Sequence, residues 1–369
     1  MFITILLFLL YKLNKQKNIK SIFTYTHPYY NFQCNTIVKL TNKTISLINL
    51  KNKIIKNILK NSILSKSINQ FNLSDYISCN NISNSNSNSI KQFNNILNKT
   101  LVSIPWKITL IQFDKTTCFL LFQNHRKLMG GQKRIWSVIN HLLDNTYLKI
   151  KKTIKHESFE LFDVLYYLKK ILLKYSLSFN YKTIQTKYSK KQTQLINLNL
   201  SKVKQLCKQQ LCTVNDFCIA YSIFKHKEYL FNNKNIIRVF VPYFYENQYN
   251  YFIIKIPKKY IITFDQFLNY IVKKTLLYKL NNYKYIDCLV NHTIKTLIPQ
   301  KVVYNQYINT INNVDVFISN ICGFMKLRSI DNYHVDTIFS TCNFYNRPLE
   351  ISVNSYDNQL SLSFSKHIY

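Results

Sequence analysis

Three glycines in 369 residues restrict this chain more than any other feature. Glycine takes positive φ without steric cost and lets another group approach the backbone closely. In a chain so depleted, Gly130, Gly131 and Gly323 are each expected where the backbone has that need. Taken singly, each also fits an ordinary turn. Their company is more informative. Gly130 and Gly131 follow His125, which ends the apolar run Cys118–Gln123 and precedes a helical pattern. Gly323 closes Ser319-Asn320-Ile321-Cys322-Gly323, just after a candidate strand. A histidine at a strand end before a Gly-Gly turn presents its imidazole at the mouth of a sheet. With a pKa near ~6.5 it suits a general base acting on an alcohol. A purely structural histidine fits the same position.

The chain is long enough for two domains or one large two-lobed domain. Hydrophobic residues make up 47% and aromatics 15%, enough for a sizeable core. The formal charge of +34 attracts anions: nucleic acid, acidic lipid headgroups or CoA phosphates. The abundance of Lys, Asn, Ile, Tyr and Phe also matches compositional drift, with much of the charge on a solvated face. No RNP, zinc-finger or helix-turn-helix pattern supports a specific nucleic-acid partner. The nine cysteines contain no Cys-x-x-Cys, so reduced, mostly buried thiols and no metal centre are expected. Cys207, Cys212 and Cys218 fall in a region that reads as helix. Met1 to Tyr11 is apolar and is followed by Lys12, Lys15, Lys17 and Lys20. It is shorter than the ~20 residues of a full span, so it reads either as a short membrane anchor with a basic flank or as a plain buried segment.

Thr36–Leu40 and Ile45–Leu50 are candidate strands, and the Ser/Asn repeat Asn80 to Ser89 reads as a loop. Trp106–Phe113 and Cys118–Gln123 read as strands around a polar turn, followed by helical patterns at Lys133–Leu143 and Ser158–Tyr175. Residues 176–200 are polar and basic, which places a crossover there. Helices are predicted over Ser201–Gln210, Asn215–Leu230 (capped by Thr213 or Asn215) and Phe264–Leu280. Strands are predicted at Ile236–Tyr245, Tyr251–Ile256, Val314–Ser319, Val335–Cys342, Leu349–Tyr356 and Leu360–Ser365. The division expected is a short anchor over 1–20, a first lobe over 21–180, a crossover over 181–200 and a second lobe over 201–369. Strands and helices mix in both halves, which predicts a two-lobed α/β protein.

Asn124-His125-Arg126-Lys127-Leu128-Met129-Gly130 resembles the His-His-x-x-x-Asp-Gly motif of CoA-dependent acyltransferases. Five further segments, collinear with it, are similar to the bacterial-type wax ester synthase/diacylglycerol acyltransferase family. Ile104-Pro105-Trp106 with the strand after it resembles a Pro-Leu-Trp-Glu segment, and Thr213-Val214-Asn215-Asp216 matches a Thr-Val-Asn-Asp helix start. Val241-Pro242 matches a Val-Pro strand. Ser319-Asn320-Ile321-Cys322-Gly323 resembles Ser-Asn-Val-Pro-Gly, and Leu349-Glu350-Ile351-Ser352-Val353-Asn354-Ser355-Tyr356 resembles a Leu-x-Ile-x-Val-x-Ser-Tyr strand. The resemblance covers residues 101–369.

It implies a chloramphenicol-acetyltransferase-like α/β fold, with mixed sheets flanked by helices and the active site between two lobes. It also implies an O-acyltransferase that moves a fatty acyl group from acyl-CoA to a long-chain alcohol or diacylglycerol, at the endoplasmic reticulum or lipid-droplet membrane surface. Acyl-CoA is then a co-substrate, and no cofactor is needed. His125 takes the catalytic place, supported by Asn124, Met129, Gly130 and Gly131. Asn320, Ser319 and Gly323 fall near an oxyanion or tunnel position. Pro105, Trp106, Asn215 and Asp216 map to structural motif positions, Trp106 reading as core and Asn215 and Asp216 as a helix cap. The motif is altered: Asn124 stands for its first His and Met129 for its Asp. A catalytically inactive lipid-binding relative on the same fold is the alternative.

Overall fold

The structure, a computed structural model, describes residues 33–61, 64–65, 68, 72–82, 92–97, 105–125, 138–143, 165–171, 190–245, 248–297, 310, 313–321, 328–343 and 348–368. Two six-stranded sheets organise these residues. The first contains β1 (Gln33–Thr41), β2 (Ile77–Asn81), β3 (Trp106–Gln112), β4 (Thr117–His125), β9 (Ser329–Ile330) and β10 (Tyr333–Asn343), in the order β2-β3-β4-β1-β10-β9. The second contains β5 (Lys190–Asn199), β6 (Ile236–Tyr245), β7 (Gln248–Pro257), β8 (Val316–Ile321), β11 (Leu349–Tyr356) and β12 (Gln359–Ile368), in the order β5-β12-β11-β8-β6-β7. Both are mixed. β2–β3 is parallel in the first, and β11–β8 and β6–β8 are parallel in the second.

Helices cover each sheet with an apolar stripe. On the first, α1 (Leu47–Leu59) buries Leu50, Ile54 and Ile58, at helical spacing, against Val38, Leu40, Trp106 and Ile108. On the second, α2 (Leu200–Gln209), α3 (Val214–Lys225) and α4 (Phe264–Lys279) bury Val203, Ile219, Ile223, Phe267 and Ile271 against β6, β7, β8, β11 and β12. A fifth helix, α5 (Asn281–Leu297), follows α4 directly.

Most predicted elements appear within a residue or two of their expected ends. Four differences have physical causes. Ile45–Leu50 is not a strand: the Ser46 side chain accepts from Asn49 N at 3.4 Å and starts α1. Lys190–Asn199, expected within a polar crossover, is β5, and its polar residues bond to neighbouring strands. β9 and β10 join the first sheet, so the residues beyond 201 are shared between both sheets instead of forming one contiguous lobe. Cys212 lies in the α2–α3 turn and not in a helix, while Cys207 and Cys218 are helical as expected. Helix α5 is not among the predicted elements, although Tyr283, Ile286 and Val290 are buried at helical spacing. The expected anchor over 1–20 and most of the Ser/Asn repeat lie outside the described residues. No helix among the described residues is long and apolar enough to cross a membrane.

Among the described residues, positive φ falls on the non-glycine residues Leu211, Asp331 and Asp357. Asp331 and Asp357 occupy the β9–β10 and β11–β12 turns, positions where Asp tolerates the left-handed region. Leu211 follows the end of α2, where Cys212 N donates to Cys207 O at 2.9 Å in the usual manner of a left-handed helix stop.

The sheets meet along β10. Ser340 Oγ donates to Asn354 Oδ1 of β11 at 3.2 Å. Ser363 Oγ of β12 donates to the Ser340 carbonyl, and it lies 3.4 Å from the Ser352 carbonyl. All four residues are buried. Serine side chains are small enough for two sheets to approach closely and polar enough to bond across the seam.

Candidate active site

His125 is the last residue of β4, and its position is set by a three-strand ladder. It pairs with Gln33 of β1, which pairs in turn with Asn343 of β10. The strand leading to it is anchored on both sides. Asn124 is fully buried and pairs with Cys34 of β1 and Trp106 of β3. Trp106 is fully buried too. Its ring lies 4.5 Å from that of Tyr76 and 6.4 Å from that of Phe122, so it serves the core, and Pro105 immediately precedes it. Asn35 Nδ2, also buried, donates to Thr341 Oγ1 at 3.1 Å and to the Leu97 carbonyl at 3.3 Å. Buried polar groups therefore line the end of β4, and the two bonds of Asn35 fix its side-chain orientation. Met129, Gly130, Gly131 and Gly323 lie outside the described residues.

The second sheet contributes the other motif segments. Asn320 lies near the end of β8, with Ser319 before it, opposite Val353 and Ser352 of β11. Asn320 Nδ2 donates to Asn215 Oδ1 at 3.2 Å, which ties the strand end to the first turn of α3. One proton of the Asn320 amide is committed to that bond, so this side chain holds two segments together. The ladder between β6 and β8 ends at Phe240–Phe317, before Pro242, which has no N–H to extend it.

Asp216 is fully buried and completes a capping box with Thr213. Its Oδ2 accepts from Thr213 N at 2.8 Å, Thr213 Oγ1 at 2.7 Å and Lys279 Nζ at 2.6 Å, and its Oδ1 accepts from Thr275 Oγ1 at 2.5 Å. Burial pushes this carboxyl up, but the bonds from Lys279, Thr275 and Thr213 together outweigh it and hold it below the usual carboxylate range. All its acceptor capacity is spent on α3 and α4. Asp216 is a structural anchor, as the helix-cap reading has it. Thr275 and Lys279 were not singled out in the sequence, although their i, i+4 spacing puts them on one face of α4.

One route connects the sheets near this region. Phe122, three residues before His125, lies in a row with Thr36 and Ser340. Ser340 bonds to Asn354, which pairs with Ile321 beside Asn320. A second polar pair lies behind β6, where Tyr243 Oη donates to Asp287 Oδ2 of α5 at 2.5 Å. Burial, and then the neighbouring Asp287 charge, push the Tyr243 phenol well above its ordinary value, so it remains a proton donor. Among the described residues no group of three or more His, Cys, Asp and Glu could hold a metal ion.

No protein-family model matches the chain, and no curated protein matches it either. Solved structures do. The wax ester synthase/diacylglycerol acyltransferase from Marinobacter aquaeolei VT8 superposes with a TM-score of 0.63 at 12% identity, covering 91% of this chain and 88% of that one. A trichothecene 15-O-acetyltransferase from Fusarium sporotrichioides superposes with a TM-score of 0.55 at 11% identity, covering 92% and 87%. The first condensation domain of the CDA synthetase gives 0.54 at 8% identity, covering 91% and 86%. At such identities the likeness is one of fold. The chain has the two-lobed α/β fold of these acyltransferases and condensation domains, and a wax ester synthase/diacylglycerol acyltransferase is among the structures that share it, as the sequence resemblance implies.

Proposed function

We propose that this chain is an O-acyltransferase that moves a fatty acyl group from acyl-CoA to a long-chain alcohol or diacylglycerol, with its active site between the two lobes. One observation carries the reading: the fold shared with a wax ester synthase/diacylglycerol acyltransferase over 91% of the chain. The motif residues are consistent with it, since His125 closes β4 and Asn320 is tied to Asn215.

In this reading His125 removes the acceptor hydroxyl proton as the oxygen attacks the thioester carbonyl. The C–O bond forms, and the tetrahedral oxyanion then collapses with cleavage of the C–S bond. The departing thiolate takes the proton back from His125, so that ester and free CoA thiol balance acyl-CoA and alcohol. The formal charge of +34 and the greasy substrates of this reading favour work at a membrane or lipid-droplet surface.

Asn124 and Met129, standing where the motif has His and Asp, favour a second reading, a lipid-binding relative without catalysis. Purified protein incubated with labelled palmitoyl-CoA and hexadecanol, or with diacylglycerol, separates the two. Ester formed by the native chain and absent from His125→Ala supports acyl transfer. Ester no greater than that of His125→Ala, in protein that still binds acyl-CoA, supports the second.

A further inference from the structure

We propose that the corner of the second sheet formed by the start of β6, the end of β7 and the approach to α4 is a docking surface for an anionic lipid bilayer. Three large apolar side chains are exposed there: Ile236 at 54%, Tyr260 at 41% and Ile262 at 68%. Backbone pairing brings them to one corner of the sheet. Ile236 pairs with Pro257 across the β6–β7 ladder, and Lys258 N donates to the Asn235 carbonyl at 2.9 Å. A single 3-10 turn, Lys258–Tyr260, then leads to Ile261 and Ile262. Ile261 packs against the core and Thr263 caps α4 with a 3.4 Å bond to Gln266 N, which leaves Ile262 outward between two fixed neighbours.

Cations rim the patch. Lys258 and Lys259 are exposed within the turn, and Lys273 and Lys274 are exposed on α4. Tyr260 stacks on Tyr270, with ring centroids 4.4 Å apart, and Lys259 and Lys274 lie over these two rings at 5.4 and 5.3 Å. Asp265, also exposed, is the acid of the α4 first turn, so the four lysines dominate the local charge. Lysines attract an anionic headgroup layer, with each near-surface charge worth about fivefold in partitioning. Aliphatic tips and a tyrosine insert just below that layer. Ile236 and Ile262 are what favour lipid over RNA, because a nucleic acid offers no apolar phase to receive them.

This surface deepens the membrane part of the function proposed above. It lies at the start of β6, whereas Asn320 lies near the end of the parallel strand β8, so docking variants leave the candidate site untouched. Co-sedimentation of the full chain with vesicles, without acyl-CoA, tests it separately from catalysis. Binding is expected to phosphatidylcholine vesicles containing phosphatidylserine and to be weak with phosphatidylcholine alone. Ile236→Asp/Ile262→Asp and Lys258→Gln/Lys259→Gln should each lower binding by about tenfold or more. His125→Ala and the control Lys204→Gln/Lys208→Gln on α2 should bind as the native chain does, and all variants should keep the native unfolding transition. Equal binding to neutral and anionic vesicles would overturn the proposal. So would equal loss in the α2 control, which indicates diffuse charge, or displacement by RNA with no effect of the Ile→Asp pair, which indicates a nucleic-acid surface.

Discussion

Asn320 Nδ2 donates to Asn215 Oδ1 at 3.2 Å, joining the end of β8 to the first turn of α3 across 105 residues of sequence. Two segments that resemble one family's motifs thus meet in space, and their junction is a neutral hydrogen bond that each side chain can lose separately. Asn320→Ala should destabilise the chain by about 1 kcal/mol in urea unfolding, the usual net worth of such a bond. If the acyl-transfer reading holds, ester formation should fall by much more than this loss of stability explains.

Asp216 should matter more to stability than Asn320 does. Asp216→Ala removes a helix cap and leaves Thr275 and Thr213 without their acceptor, a cost on the order of 2 kcal/mol. Its carboxyl is held below the usual range in the folded chain, so its contribution is full above the unfolded value of about 4 and is lost as pH falls through the folded value. Urea midpoints measured from pH 6 downward should show a shallower acid decline in Asp216→Asn than in the native chain.

Leu211 supports a prediction of the opposite sign. Its φ of 50° lies in the left-handed region and its side chain is 88% exposed, so it carries backbone strain without burying its apolar surface. Leu211→Gly should raise stability by about 1 kcal/mol, visible as a higher urea midpoint at unchanged slope.

His226 caps the end of α3, and its ring lies 4.7 Å from that of Phe364. Burial first, then the charges of Lys366 and Lys225, push its pKa down to about 4. The unfolded chain then binds a proton more readily than the folded one between about pH 6.5 and pH 4, and stability falls across that window as pH drops. The loss should reach about 3 kcal/mol by the lower end of the window. His226→Phe should flatten that part of the stability profile.

The legible parts of this protein were those where local spacing carries its own meaning. Thr213 before Val214-Asn215-Asp216 announced a capped helix, and the cap is there with Thr213 and Asp216 bonded reciprocally. Trp106–Phe113 and Cys118–Gln123 read as strands around a polar turn, and the two form an antiparallel pair with Trp106 opposite Asn124. Ile45–Leu50 misled because six apolar-rich residues fit either period, and only the stripe continuing through Ile54 and Ile58 selects the helix.

The alternation in β11 and β12 shows where sequence stops and tertiary structure begins. Leu349, Ile351 and Val353, like Leu360, Leu362 and Phe364, alternate with polar residues, and that pattern by itself determines two strands with one face on a core. It also reads as a polar face in water. The folded chain instead buries that face: Ser352, Asn354 and Ser363 meet β10, Ser361 bonds to Asn197, and Glu350 bonds to Lys191 at 2.8 Å. A polar residue marks a solvated face only when nothing complementary arrives to satisfy it. Here β5 arrives from a distant part of the chain, and β10, though close in sequence, comes from the other sheet; both carry the matching donors and acceptors, and no local window could announce that.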